Sequence, residues 1–422
     1  MRFKIISLGC PKNLVESEYI TASLEEKGNI VSEEHDTVII NTCAFITDAV
    51  KESIEIILAE KINLQGHNKK LVVTGCLVER YGEKLQELLP EVDLFVGRNF
   101  YDEIGKLIDK KGFFWRQGLF SETFPRKVLT AKPTAYLKIQ EGCDNRCSYC
   151  TVPDIRGSLR SRSMESIREE LEWLLAQGFR EINIIGQDIT SYGKHENLSL
   201  RELLVNLLSV KGDYFLRLLY MHPRGINEDL IDLFCNEDRI IKYLDIPIQH
   251  SEDNVLARMG RGYSKRYLEE LFGKIRNKIP DAKCRTTVIV GFPGETEDEF
   301  LRLSDFIKEW EFDMLGAFMY SREEGTKASK LKGQFRKGIK NERYNTIMAI
   351  QNDISKQRLK RFIGRKMKVI VEGKEGGYMA GRLIIQAPDI DGMAFIKGSC
   401  ITGEIRDATI VKTLDYDVIV EL

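Results

Sequence analysis

The sequence predicts an α/β protein in three parts: an N-terminal parallel-sheet α/β domain, a partial (β/α)6 barrel, and a small C-terminal antiparallel β-barrel. Three observations predict it. Apolar strand-like runs alternate with helical stretches as far as residue 320, and such alternation builds parallel sheets from strand–helix units. Six of these units fall within residues 131–360, too few to close an eight-fold barrel and suited to an open one. After residue 361 the helical period gives way to short alternating runs separated by turn residues.

The first part, 1–126, offers strands at 3–8, 37–42, 70–74 and 92–96. Between the second and third, Val50, Ile54, Ile57, Leu58 and Ile62 recur at helical spacing behind Asp48 as a cap. Residues 116–133 lose periodicity and read as a linker. The second part, 131–360, offers strands at 135–140, 181–186, 215–221, 243–248, 285–291 and 314–320. Over 163–177, Ile167, Leu171, Leu174 and Leu175 form one apolar stripe that Gly178 stops. Thr296 and Glu299 form a capping box for the helix after Gly294. The third part, 361–422, offers strands at 366–371, 381–386, 394–397 and 409–412, with turns at Glu375-Gly376-Gly377 and Asp391-Gly392.

With 43% apolar and 30% charged residues the chain is expected to be soluble and globular. A net charge of -1 gives no overall field that would recruit nucleic acid. No apolar run approaches the ~18 residues of a membrane span, and the first ten residues do not make a signal peptide. A cytoplasmic location is therefore expected, and nine cysteines there point to metal or redox chemistry more than to disulfides.

The cysteines carry the strongest signal. Cys143, Cys147 and Cys150 are spaced Cys-x3-Cys-x2-Cys just after the first strand of the partial barrel, at the end where barrel chemistry collects. Three thiolates that close can hold three corners of an iron–sulfur cube and leave one iron open for substrate; a zinc loop is the competing reading. Cys10, Cys43 and Cys76 each follow an apolar run and lie 33 residues apart. Neighbouring parallel strands bring their C-terminal ends to one edge, so these three converge if their strands are adjacent. Gly9 and Gly75 suit tight turns beside a bulky group. Three unrelated core cysteines is the competing reading here. Cys235, Cys284 and Cys400 have no such setting and read as structural.

The Cys-x3-Cys-x2-Cys run, with Tyr149 before its last cysteine, resembles the radical S-adenosylmethionine (SAM) superfamily. Together with Cys10, Asn41-Thr42-Cys43 and Gly75-Cys76, and with the small terminal barrel, the whole chain is similar to the methylthiotransferase family, whose C-terminal part is a TRAM domain. The resemblance implies a SAM-dependent transferase with two [4Fe-4S] clusters. One is carried onto Cys143, Cys147 and Cys150, where SAM binds, and an auxiliary one onto Cys10, Cys43 and Cys76. It implies that one SAM methylates a sulfur held at the auxiliary site, while another yields a 5′-deoxyadenosyl radical. That radical takes hydrogen from an unactivated carbon, which then captures the methylated sulfur.

Ser7-Leu8-Gly9-Cys10-Pro11-Lys12-Asn13, residues 245–250 and Ala387-Pro388-Asp389-Ile390-Asp391-Gly392 resemble the branch that modifies the β-carbon of an aspartate in ribosomal protein S-twelve. The sister branch modifies an adenosine of tRNA, whose phosphates favour a basic terminal barrel. Here nine Lys/Arg balance nine Asp/Glu across 361–422, so nucleic acid is not required. A non-catalytic iron–sulfur electron carrier is the alternative from another class. An electron donor is an expected partner, and Asp389 and Asp391 are candidate contacts for the basic substrate protein. By position at the barrel rim, Tyr149, Gln187, Gln249, Ile289 and Gly291 are candidate SAM contacts, while His222 and His250 read as structural.

Overall fold

The computed structural model describes residues 1–64, 69–116 and 126–422. Its first sheet is parallel throughout and contains β1 (Arg2–Ser7), β2 (Ile30–Val31), β3 (Thr37–Thr42), β4 (Lys70–Gly75), β5 (Leu94–Val96) and β6 (Gly112–Phe114), in the order β2-β1-β3-β4-β5-β6. Both faces are covered, which is why β3 and β4 read as unbroken apolar runs. Val38, Ile40, Leu71 and Val73 enter one core with Ile57 of the helix Thr47–Asn63. Ile39 and Val72 enter the other with Ile20 and Leu24 of the helix Pro11–Glu25. The edge strands β2 and β6 are two and three residues long, too short to leave a period in the sequence. Asp48 is not the cap expected of it. The helix begins at Thr47, and the Thr47 N–H and hydroxyl both donate to Glu323, far along the chain, at 2.7 and 3.0 Å.

The second sheet is an open parallel sheet built from β7 (Thr134–Lys138), β10 (Glu181–Ile185), β11 (Phe215–Leu218), β12 (Ile240–Asp245), β13 (Lys283–Val290) and β14 (Met314–Met319), in the order β14-β13-β12-β11-β10-β7. A two-stranded ribbon, β8 (Gln140–Glu141) with β9 (Arg160–Ser161), flanks the cysteine loop. The strand expected at 243–248 begins three residues earlier and stops at Asp245, before Pro247, which has no N–H for the ladder. Ser163 caps the helix Met164–Ala176 by accepting from the Ser166 N–H, and the Thr296/Glu299 box opens the helix Glu297–Trp310.

Alternation along these strands separates two environments. Ala135, Leu137, Ile182, Ile184, Leu216 and Leu218 point outward into the helices. The intervening positions face the concave side and include buried Lys138, Glu181, Asn183, Arg217, Asp245 and Lys283. The interior of this partial barrel is therefore charged, unlike the branched apolar filling of a closed one.

The third part is a closed barrel of β15 (Lys366–Glu375), β16 (Tyr378–Leu383), β17 (Ala394–Lys397), β18 (Ile405–Thr413) and β19 (Val418–Glu421). Its pairs are antiparallel except β17 with β19, which run parallel. Its core is continuous with the concave face of the second sheet: Val369, Leu383, Ile410 and Val420 share one cluster with Tyr136, Ile185, Leu219 and Tyr243. Arg382 of β16 donates to Glu181 of β10, and Asp391 pairs with Arg285 of β13 at 3.1 Å. The side chain of Asp391 is fully buried, so it pins two parts together and offers nothing to a docking protein; Asp389 remains exposed.

Residues 117–125 of the expected linker lie outside the described residues. The part that follows is tied down, because Arg126 is buried and pairs with Glu18 at 2.6 Å and with Glu170. Among the described residues no helix is long and apolar enough to cross a membrane.

Candidate active site between two cysteine-bearing edges

Because β1, β3 and β4 are neighbours, Cys10, Cys43 and Cys76 leave the sheet at one edge. Cys10 is the N-cap of the helix Pro11–Glu25, and Cys76 starts the helix Cys76–Tyr81. Glycine is required at both turns. Gly9 has φ +86°, and a Cβ there would stand 2.6 Å from Cys43 Cβ; Gly75 has φ +91°, and a Cβ would meet Thr42 O at 2.6 Å. Asn13 ties the three loops together. Its Nδ2 donates to Leu8 O and Thr42 O at 2.9 Å each, and its Oδ1 lies 3.7 Å from the sulfurs of both Cys10 and Cys76.

Cys143, Cys147 and Cys150 occupy the loop at the C-terminal rim of the second sheet. Gly142 (φ +74°) lets this loop close on residues 157–158, since a Cβ would fall 2.1 Å from Ser158 O. Each sulfur accepts a hydrogen bond at 3.4 Å: Cys143 from the Asn145 N–H, Cys150 from the Val152 N–H and Cys147 from Arg261 Nη1. Donors aimed at sulfur favour the thiolate, which fits a thiolate-bound iron cluster. All six cysteines are free. Burial pushes the thiols of Cys43 and Cys143 to about 11 and that of Cys150 to about 12, so iron must displace their protons on loading. Among the described residues no three His, Cys, Asp or Glu side chains close round a single ion. A cubane presents a separate iron to each thiolate, and its ligands stand wider apart.

The two edges face one another, and the chain between them is charged. Arg156 ends the short helix Val152–Arg156 that follows Cys150, and it reaches into the first domain. Its Nη2 donates to Cys76 Sγ at 3.2 Å and to Asn13 Oδ1 at 2.6 Å; its Nη1 donates to Glu16 at 2.8 Å and Glu141 at 3.1 Å. Arg98 pairs with the same two carboxylates at 3.2 and 2.7 Å, and Lys138 pairs with Glu141 at 3.0 Å. All five charged groups are buried. Burial alone would raise Glu141, yet Arg98, Lys138 and Arg156 hold its carboxyl well below the usual range. Further contacts join the edges: Arg80 with Glu323 at 2.7 Å, Thr151 Oγ1 to Phe45 O at 2.9 Å, and Lys12 Nζ to Gly186 O at 3.4 Å. Sequence reasoning missed Asn13, Glu16, Arg98, Glu141 and Arg156. Asn13 and Glu141 had a signal, their places in the Ser7–Asn13 run and at the head of the run that carries Cys143, Cys147 and Cys150.

The proposed SAM contacts divide. Tyr149 and Ile289 pack on one apolar cluster of Val255, Met259, Phe292 and Tyr320. Gln249 belongs beside them: its carbonyl accepts from the Ile289 N–H at 2.8 Å and its φ is +68°. Gly291 (φ +67°) gives its N–H to Glu295 at 2.8 Å. Gln187 stands apart and donates to Glu141 at 2.6 Å, which joins the rim to the charge network. Burial lowers His222 to about 3, helped by Arg261, so its ring is neutral at physiological pH. His250 is fixed between Glu295 at 3.0 Å and the Glu252 N–H at 3.0 Å, a structural setting. Cys284 is buried in β13 as expected of a core residue, whereas Cys235 is exposed on the helix Glu228–Asn236.

The sequence matches three family profiles in order: uncharacterized protein family UPF0004 over residues 2–97, the radical SAM superfamily over 137–307 and the TRAM domain over 363–422. It is 41% identical to the ribosomal protein uS12 methylthiotransferase RimO of Thermotoga sp. (strain RQ2), covering 99% of both chains. It is 44% identical to the enzyme of the same name from Thermodesulfovibrio yellowstonii, over 99% of this chain and 98% of that one. Its fold resembles the radical S-adenosylmethionine methyltransferase TsrM from Kitasatospora setae, with a TM-score of 0.54 and 15% identity over 75% of this chain and 71% of that one.

Proposed function

Because the chain belongs to the ribosomal protein uS12 methylthiotransferase family, we propose that Cys143, Cys147 and Cys150 hold the [4Fe-4S] cluster at which SAM binds and that Cys10, Cys43 and Cys76 hold a second one. The protein is a SAM-dependent radical transferase that adds a methylthio group to the β-carbon of an aspartate in uS12. When bound, the clusters supply the electron for SAM cleavage and a site for the sulfur, chemistry that no side chain can provide at an unactivated C–H.

The chain's own groups position and shield. Arg261 and the N–H groups of Asn145 and Val152 donate to the three rim sulfurs. Tyr149, Ile289 and the apolar cluster beneath them offer a dry wall for the adenine, with Gln249 and Gly291 at its edge. Gln187, whose amide N–H is held by Glu141, keeps a buried Oε1 with no partner among the described residues for the polar part of SAM. Residues 1–126, 131–360 and 361–422 act as sulfur-carrying, radical-generating and substrate-binding domains. A ribosomal-protein substrate places the reaction in the cytoplasm, with a separate protein as electron donor.

The observation that carries this reading is Arg156: it leaves the Cys143–Cys150 loop and ends on Cys76, so the two cysteine sets share one buried charge network. Anaerobically reconstituted protein should contain about eight irons per chain and form 5′-deoxyadenosine with SAM and a strong reductant. Offered uS12 and tRNA in parallel, it should methylthiolate uS12 alone. Cys10→Ala should still form 5′-deoxyadenosine yet add no methylthio group. Absence of 5′-deoxyadenosine from the loaded wild type would overturn the radical reading, and full methylthiolation by Cys10→Ala would overturn the auxiliary site.

A further inference from the structure

We propose that the ammonium of Lys12 binds the side-chain carboxylate of the substrate aspartate and selects that residue over its amide; this rests on the function proposed above. Lys12 lies two residues after Cys10, in the first turn of the helix Pro11–Glu25, and is buried (7% exposed). Its Nζ turns away from its own domain. It reaches Gly186 O, just past β10, at 3.4 Å and sits 3.4 Å from the centre of the Tyr220 ring, just past β11. The charge thus stands between the Cys10 edge and the barrel rim, where the reacting carbon must lie.

Neither contact neutralises it. The nearby carboxylates are already engaged: Glu16 and Glu141 with Arg98 and Arg156, and Asp245 with Arg285 at 3.7 Å and the Tyr220 N–H at 2.9 Å. Among the described residues no carboxylate pairs with Lys12. A buried ammonium with no paired carboxylate is costly to keep, and such groups gather where a ligand can bring one. Tyr220 adds a second sign of a working position. It holds a left-handed backbone (φ +64°), a conformation a bulky residue keeps only where its surroundings enforce it. Its ring faces the cation and shields it from water.

The chemistry of the substrate fits this placement. The β-carbon of aspartate is bonded directly to its carboxylate carbon, so a cation holding the carboxylate also limits where the β C–H can point. An asparagine offers the same shape without the charge.

The test is binding of two synthetic peptides to the reconstituted holoenzyme with SAM and no reductant, followed by fluorescence anisotropy. One peptide carries the modifiable uS12 aspartate and the other has asparagine there. Wild type should bind the aspartate peptide about tenfold or more tighter, the scale of a hydrogen bond to a charged group. Lys12→Met and Lys12→Gln should lose that preference while binding the asparagine peptide as before. A neutral variant that keeps its iron and the preference overturns the proposal, because Lys12 then serves only the neighbouring cluster. Should both variants lose iron, the wild type decides: equal affinity for the peptides overturns the proposal and a tenfold gap supports it. Failure of the proposed function would show separately, as loaded wild type that binds uS12 and never modifies it.

Discussion

Replacing Arg156 with methionine is expected to empty the Cys10/Cys43/Cys76 site and leave the rim site loaded, so that iron falls from about eight to about four per chain. Arg156 meets Cys76, Asn13, Glu16 and Glu141 from one planar group. Methionine has similar volume, and none of the four partners gains a substitute donor. Glu16 and Glu141 keep Arg98 and Lys138, so the network shrinks to two carboxylates facing two cations rather than vanishing. Cys76 and the Asn13 oxygen lose their donor, and Asn13 is the residue that joins the three cysteine loops. Removing one partner from a buried ion pair costs about 3–5 kcal/mol where the other charge is left unpaired; both carboxylates here keep a cation, so the cost should fall below that range. That cost falls on the contact between the first two domains, and faster amide hydrogen exchange over residues 76–81 and 152–156 should report it. Arg156→Lys keeps the charge without the fork and should restore stability only in part. Where some auxiliary iron survives in the lysine variant, its reduction potential should be more negative than in wild type, because lysine keeps the cation but not the guanidinium N–H aimed at Cys76 sulfur, a bond that favours the reduced cluster. Arg156→Met protein with full iron and an unaltered potential would refute this role.

How much of this was legible beforehand follows from which residues act locally. The six cysteines could be read, because a strand-end cysteine repeated in three strand–helix units and a Cys-x3-Cys-x2-Cys loop are short-range patterns. The β3 and β4 strands could be read because burial on both faces leaves a continuous apolar run. The joints between domains could not. Glu16, Arg98, Lys138, Glu141 and Arg156 come from both domains, and each alone resembles a solvated charge. Asp391 misled for the same reason: an aspartate in a Pro/Gly turn looks exposed until Arg285 of another domain is set against it. The cap of the helix Thr47–Asn63 repeats the lesson, since its acceptor, Glu323, lies 276 residues away. Local period predicts elements; pairing of buried charges is a property of the assembled fold.

The second large effect is expected at the joint between the partial barrel and the terminal barrel. Glu181→Gln should destabilise that contact by about 3–5 kcal/mol and make the terminal barrel exchange its amides first. Glu181 has a fully buried side chain that accepts from Arg217 at 2.8 Å and from both terminal nitrogens of Arg382. The amide leaves buried Arg217 without its carboxylate, while Arg382 keeps Glu372 at 2.7 Å. Among the described residues, Arg217 Nε and Nη1 already have no hydrogen-bond partner. Arg382→Met should be milder, because Arg217 still neutralises Glu181, and the double variant should fall short of the sum of the single ones, as coupled partners do. The same residue sets an acid limit. Burial alone would raise the Glu181 carboxyl, but Arg382 and Arg217 hold it at about 2, against an ordinary value of 4.5. A carboxyl lowered on folding contributes its full stability above the unfolded value and loses it as pH falls towards the folded one. The terminal barrel should therefore loosen progressively between about pH 4.5 and pH 2 in wild type. Glu181→Gln, already loosened at neutral pH, should lack that component of the pH dependence. Hydrogen exchange of β15–β19 across this range checks both expectations, and a wild-type profile that Glu181→Gln reproduces without change would assign the acid sensitivity to other carboxylates.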